Sequence, residues 1–248
     1  MNRQNLLELR NPHSVLAAIR HRPQAVKEIR LTAKNTKGPW EQVIELAASH
    51  AIAVSTRGPD GARRQRDRPG RNTERTGAGM ALVAPPTAVE LKHMLTEPQN
   101  GDLLIALDCL QDPQNVGAIF RSTSFFGARG LITTKDKSAP INATVCDIAA
   151  GGADNIPFHI ATNLSRALEK ARDAGYWILG TSEHADTNVF DIDDRPWVVV
   201  IGNEQSGMRR LTAEKCDEVC RLEPKGGVTS LNAAAATSSL LTALSRPR

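Results

Sequence analysis

With 248 residues, 40% of them hydrophobic and 23% charged, the chain can bury a substantial core as one large or two modest domains, which excludes disorder throughout. Its longest apolar runs fall far short of the ~18 residues of a membrane span, and the opening MNRQNLLELR has no signal-peptide core, so a cytoplasmic protein without a membrane partner is expected. The net charge of +4 hides an asymmetry: residues 1–83 hold 15 Lys or Arg against 7 Asp or Glu, leaving 16 against 20 for residues 84–248.

In chain order, the first part reads as a helix around residues 14–20, a strand near 25–31, a helix from about 39 to 49, a strand at 51–55 and a strand at 80–84, a small α/β unit of about three strands. Before the last strand lies RGPDGARRQRDRPGRNTERTG, residues 57–77, with seven arginines and almost nothing apolar. That composition suits an exposed loop whose guanidinium forks fit phosphate oxygens, so Arg57, Arg63, Arg64, Arg66, Arg68 and Arg71 are candidate RNA contacts. A solvated charged loop is the plainer alternative; the predominance of Arg over Lys in an electropositive half favours nucleic acid. Residues 84–100, with prolines at either end of a short amphipathic helix, read as a linker.

From residue 101 onward strands and helices alternate. Strands are expected at 103–107, 130–133, 156–160, 176–181, 197–201 and 219–222, and helices near 116–126, 142–149, 164–174, 211–216 and 231–244. Nearly continuous apolar strands separated by helices imply a parallel sheet covered on both faces, hence a doubly wound α/β domain. No GxGxxG turn opens its first helix, so a nicotinamide-dependent dehydrogenase lacks its phosphate-binding fingerprint. Cys109, Cys146, Cys216 and Cys220 include no CxxC pair and the six histidines are scattered, so neither a metal nor a disulfide is expected.

Three segments carry chemistry. In the first, an apolar strand empties through Asp108–Asn115 into a helix bearing Gly117 and the lone cation Arg121, at the strand end where α/β proteins bind ligands. An ordinary junction capped by Asp112 or Asn115 accounts for the same polar turn. In the second, VVVIGNEQSGMRR, a buried strand ends at Gly202, followed by Glu204 and Gly207; a glycine there lets backbone approach a ligand. In the third, LEPKGGVTSLNAAAATSSLL, a strand runs into a glycine-rich loop and a small-residue helix opens at Ser230-Leu231-Asn232, with Ser230 having the chemistry of an N-cap.

Together, in this order and spacing, the three resemble the SpoU family of RNA ribose 2′-O-methyltransferases. Asn115, Gly117, Arg121 and Ser122 meet the first family motif, Gly202, Glu204 and Gly207 the second, and Pro224 with Ser230-Leu231-Asn232 the third. DKSAPINATVCDIAAGGADNIP, residues 136–157, is similar to the region between motifs in the bacterial 23S rRNA guanosine 2′-O-methyltransferase subgroup. The resemblance implies a catalytic domain over residues 101–248 whose C-terminal part is tied in a deep trefoil knot, preceded over residues 1–83 by a small ribosomal-protein-L30-like RNA-binding domain. It implies S-adenosylmethionine bound near Thr181, Gly202, Leu222, Pro224, Ser230 and Leu231, a homodimer with the helix after Asn232 as an interface element, and Arg121, Asn115, Glu204 and Asn232 as the catalytic set. Helix–sheet packing within one chain is the alternative role for that last helix.

Because the methyl donor carries the activation, positioning should dominate catalysis. A guanidinium is effectively always protonated, so Arg121 is expected to hold the target phosphate and stabilise the developing alkoxide, not to act as a base. The chain departs from the subgroup at Asn11-Pro-His-Ser-Val15, at Gly77-Ala78-Gly79 and at Ala233-Ala234. These departures bear on the RNA target: a guanosine of 23S rRNA comes first, a tRNA or another rRNA position second. A non-catalytic RNA-binding assembly factor on the same scaffold is the reading from another class.

Overall fold

A computed structural model describes residues 6–32, 38–56 and 79–246. Its contacts divide the chain into two units, Met1–Pro86 with Ile141–Asn155, and Thr87–Pro140 with Ile156–Arg248.

In the first unit, β1 (Leu7–Leu9), β2 (Val26–Leu31), β3 (Val54–Thr56) and β4 (Gly79–Val83) form a sheet of order β1-β4-β2-β3. Two helices, α1 (Pro12–His21) and α2 (Pro39–Ser49), supply Val15, Ile19, Trp40 and Val43 to a core that also buries Leu9, Ile29 and Val83. α1 starts where it does because Asn11 caps it, accepting from His13 N at 3.0 Å, with Pro12 in its first turn. Gly79 packs closely: a Cβ there would lie 2.9 Å from Leu31 Cδ2 and 3.0 Å from Trp40 Cζ3, so those side chains would have to shift.

Ile141–Asn155, sequence neighbours of the second unit's strands, belong to the first through α4 (Ala143–Ala149) and α5 (Gly152–Asn155). The Asp147 carboxylate accepts from Arg10 N at 2.9 Å and Asn11 N at 3.0 Å, and Ser14 Oγ donates to Cys146 O at 2.7 Å. Arg22 pairs with Asp154. Burial raises the Asp147 carboxyl above its ordinary range against the lowering effect of those backbone donors.

The second unit is built on seven parallel strands: β5 (Leu103–Leu107), β6 (Gly130–Thr134), β7 (Phe158–Ala161), β8 (Trp177–Thr181), β9 (Thr187–Asn188), β10 (Trp197–Ile201) and β11 (Glu218–Arg221), in the order β7-β6-β5-β10-β8-β11-β9. Every residue of β5, β6 and β10 is buried, the signature of a sheet covered on both faces. On one face α6 (Leu164–Asp173) packs Leu164 and Leu168 against Leu104, Ile178 and Val198. Elsewhere α3 (Pro113–Phe125) packs on α8 (Ala233–Leu244), where Ser122 Oγ and Ser238 Oγ lie 2.6 Å apart. α7 (Arg210–Ala213) is a single turn. The chain runs outward from β5 to β6 and β7 on one side, while β10 and β8 lie on the other, so the strand order reverses between β5 and β10. Such a switch point opens a crevice at the carboxyl ends of the strands.

Three expectations change. The stretch expected as a linker is packed from Leu91 onward: Leu91, Met94 and Leu95 are buried in the second unit's core, and the expected helix is a 3-10 turn, Leu91–His93. β1 and β9, of three and two residues, are additional strands. In α8, the helix expected as an interface element, Leu240 is 2% exposed, so this residue takes the alternative role of packing within the chain. Among the described residues no helix is long and apolar enough to cross a membrane, and no group of three His, Cys, Asp or Glu could hold a metal ion.

Candidate active site

The loops after β5 and β10 meet at the switch point. Asp112 caps α3, accepting from Gln114 N at 2.9 Å. That settles which residue caps, and it leaves the Asn115 side chain for another partner: its Nδ2 donates to Glu204 Oε1 at 2.9 Å, across 89 residues of sequence. Glu204 Oε2 also accepts from Asn203 Nδ2, at 3.4 Å.

Glu204 stands on a tight loop. Asn203 N donates to Gly207 O at 3.0 Å and Gly207 N returns the bond to Asn203 O at 2.9 Å, with Gly207 at φ +65°. A Cβ on Gly202 would lie 2.4 Å from Gly207 C and 2.5 Å from Met208 N, so no side chain fits where β10 ends. Gly202 is thus required by the loop folding back on it.

Beside this loop opens a cavity of about 910 Å3, within the size range of small-molecule sites. Thr181, Gly202, Leu222, Pro224, Ser230 and Leu231 all line it. Its floor includes Ile201 and Leu240, both nearly fully buried. Thr181 ends β8 and donates from Oγ1 to Val200 O at 2.8 Å. Residues 223–232 are exposed throughout; Val228 is 77% and Leu231 56% exposed. Lys225 pairs with Glu223 at the rim, holding that carboxyl below its ordinary range. Burial pushes the Cys220 thiol, also in the lining, up to about 12, so it stays protonated near neutrality.

No hydrogen bond among the described residues joins Arg121 or Asn232 to the Asn115–Glu204 pair. Arg121 is exposed on α3 and forms no hydrogen bond or ion pair among the described residues. Asn232 caps α8, accepting from Ala235 N at 2.7 Å, so the expected capping role of Ser230 falls to it. Ser230, two residues upstream, is exposed in the cavity wall because the helix begins only at Ala233. Arg57, Arg63, Arg64, Arg66, Arg68 and Arg71 lie outside the described residues.

Sequence reasoning missed one feature. Asp108, directly after β5 and fully buried, accepts from Arg209 N at 2.8 Å and from Arg209 Nε at 2.6 Å. The available signal was an acid closing an otherwise apolar strand, a position where a charge is retained only with a partner.

The model of the SpoU rRNA Methylase family matches residues 102–242. A 23S rRNA (guanosine-2′-O-)-methyltransferase, RlmB, of Pseudomonas aeruginosa is 40% identical over 244 residues, covering 95% of this chain and 94% of that one. The crystal structure of the SpoU methyltransferase AviRb from Streptomyces viridochromogenes superposes with a TM-score of 0.77 at 25% identity, over 98% of this chain and 90% of that one. The structure of AviRb in complex with the cofactor AdoMet gives a TM-score of 0.75 at 23% identity, with the same coverage.

Proposed function

This chain belongs to the SpoU rRNA methylase family, and from that premise we propose that it transfers a methyl group from S-adenosylmethionine to a ribose 2′-hydroxyl of structured RNA, a guanosine of 23S rRNA first and a tRNA or another rRNA position second. The observation that carries the reading is the bond from Asn115 to Glu204 at the switch point beside the cavity, which joins two separate sequence motifs at one strand-end site.

The residues present fit the cofactor. Apolar side chains of Ile201, Leu222 and Leu231 offer a surface for a purine face, and the strand ends at Thr181, Gly202 and Leu222 offer backbone groups for its edge. When bound there, S-adenosylmethionine supplies a methyl group already activated on a sulfonium. The chain's own task is then to hold and orient. Arg121, always charged and free of partners among the described residues, holds a target phosphate and stabilises the developing alkoxide. Asn115 and Glu204, bonded to each other, orient the ribose; Asn232 fixes the start of α8 beside the cavity. The hydroxyl proton leaves to water or phosphate.

The finer architecture is part of the same reading: a deep trefoil knot in the C-terminal part, and a ribosomal-protein-L30-like first unit that contacts RNA, with Arg57 to Arg71 among its contacts. A homodimer completes the site; what supports it is Phe125, 82% exposed on α3, beside the α3–α8 packing, with Leu231 also exposed.

Methyl incorporation from labelled S-adenosylmethionine into rRNA and tRNA lacking their native modifications tests the proposal, with Arg121→Ala as control. Incorporation that disappears in the variant and maps to a 2′-hydroxyl is the expected result. RNA binding without transfer to any substrate would overturn it in favour of an assembly factor.

A further inference from the structure

The loop that carries Glu204 closes on itself, with Asn203 Oδ1 also accepting from Gln205 N at 3.0 Å and Ser206 N at 3.3 Å. Its attachment to the sheet comes from the two residues that follow β5. Asp108 N donates to Ile201 O at 2.8 Å, its Oδ2 accepts from Arg209 N at 2.8 Å and its Oδ1 from Arg209 Nε at 2.6 Å. Cys109 O accepts from Asn203 Nδ2 at 2.9 Å. Both ends of the loop are therefore fastened to one dipeptide, Asn203 to Cys109 and Arg209 to Asp108.

That dipeptide is costly to build. Asp108 is a carboxylate with no exposed surface, and Cys109 holds φ at +61°, a conformation L residues rarely adopt. Packing alone could join two loops with apolar side chains, and buried ion pairs are weak devices for stability. An ion pair received by both a backbone N–H and a side-chain Nε adds direction, because it fixes the orientation of the Arg209 backbone relative to β5.

We propose that Asp108, acting through Arg209, is a positioning residue that sets the loop 203–209 so that Glu204 meets Asn115 and the Gly202 backbone forms the cavity wall. It rests on the methyltransferase reading for its kinetic consequence, and on geometry alone for its structural one. Arg209 is half exposed while Asp108 has no exposed surface. Arg209→Ala, which removes the tie without opening a core cavity but leaves the Asp108 charge unpaired, is therefore read beside Asp108→Asn, which removes that charge as well, and Arg209→Lys is the conservative variant.

In the full chain, amide hydrogen exchange of residues 203–207 is expected to accelerate about tenfold or more in Arg209→Ala and Asp108→Asn, with the amides of Trp197–Ile201 unchanged. Under saturating cofactor, kcat falls about tenfold while KM for RNA stays within about twofold, a loss of transition-state positioning and not of substrate binding. Arg209→Lys recovers part of kcat. The double variant is no slower than the slower single one, because both remove one tie. Unchanged loop exchange in Arg209→Ala overturns the proposal, as does a loss confined to KM or to the melting temperature. A wild-type protein that transfers no methyl group would defeat the methyltransferase reading, and the exchange measurement would still decide the positioning role.

Discussion

Beside the cavity, the loop after β10 is bonded to the loop after β5 across long stretches of sequence: the Asn115 and Glu204 side chains and the Arg209 and Asp108 side chains to each other, and Asn203 Nδ2 to the Cys109 carbonyl. On the side formed by residues 223–231, the described contacts contain a single polar tie, Lys225 to Glu223, and every residue is exposed. The first side is held by bonds within the chain. The second has exposed apolar side chains and backbone groups that have no partner among the described residues, and those are groups a ligand or a second subunit can satisfy. The contrast is between a side fixed by bonds within the chain and a side of exposed groups; under the proposed methyl transfer the first would orient the reacting groups and the second would take its order from the cofactor.

The strongest test of the fixed side is Arg121 on α3, exposed and without a hydrogen bond or ion pair among the described residues. Arg121→Ala should lower kcat by about 10²–10³-fold, the usual effect of losing a donor aimed at developing charge, and Arg121→Lys should restore less than a tenth of it because the planar fork is lost. Next come Asn115→Ala and Glu204→Ala: each is expected to slow transfer about tenfold or more, and a double-mutant cycle should give a coupling of about 0.5–3 kcal/mol. Additive losses would mean that their bond does not matter to the reaction.

Glycine substitutions compare the walls directly. Gly202→Ala forces a Cβ into the Gly207–Met208 backbone and should cost about 1–3 kcal/mol, read as a lower melting temperature and weaker cofactor binding. Gly226→Ala and Gly227→Ala meet no atom within 4 Å and should change stability by less than about 0.5 kcal/mol. Equal effects at the two sites would erase the distinction between the walls.

A pH test bears on stability alone. Burial raises the thiols of Cys146 and Cys220 to about 12 and that of Cys216 to about 11, from an ordinary value of 9.0. Raised folded-state values mean that their contribution to stability is complete below about pH 9 and is lost as pH climbs toward 11 and 12. Thermal melting should fall across that window, and a Cys146→Ala, Cys216→Ala, Cys220→Ala triple variant should flatten the fall.

The strands that position the site were readable as apolar runs because both their faces are buried; β5 and β10 are found where those runs lie. The residues of the three motifs were readable as sets, and the lining of the cavity brings Thr181, Gly202, Leu222, Pro224, Ser230 and Leu231 together. What sequence could not convey was nonlocal. Asp108 and Arg209 lie 101 positions apart, and nothing in either neighbourhood names the other. Asp147 reads as an ordinary helical acid until its backbone donors at Arg10 and Asn11 are known. Pro and Asn around residues 84–101 suggested a linker, yet Leu91, Met94 and Leu95 outweigh them by burying apolar surface. The capping residue of α8 was misread by two positions because Ser230 and Asn232 are both competent caps, and only the helix start at Ala233 selects between them.

The most direct test is titration of S-adenosylmethionine into the wild-type protein, with amide hydrogen exchange followed along both walls. One saturable site with protection rising at residues 223–231, while residues 203–209 are already protected before ligand is added, is the predicted result. Failure to bind, or protection confined to another part of the chain, would contradict the assignment of this cavity to the methyl donor.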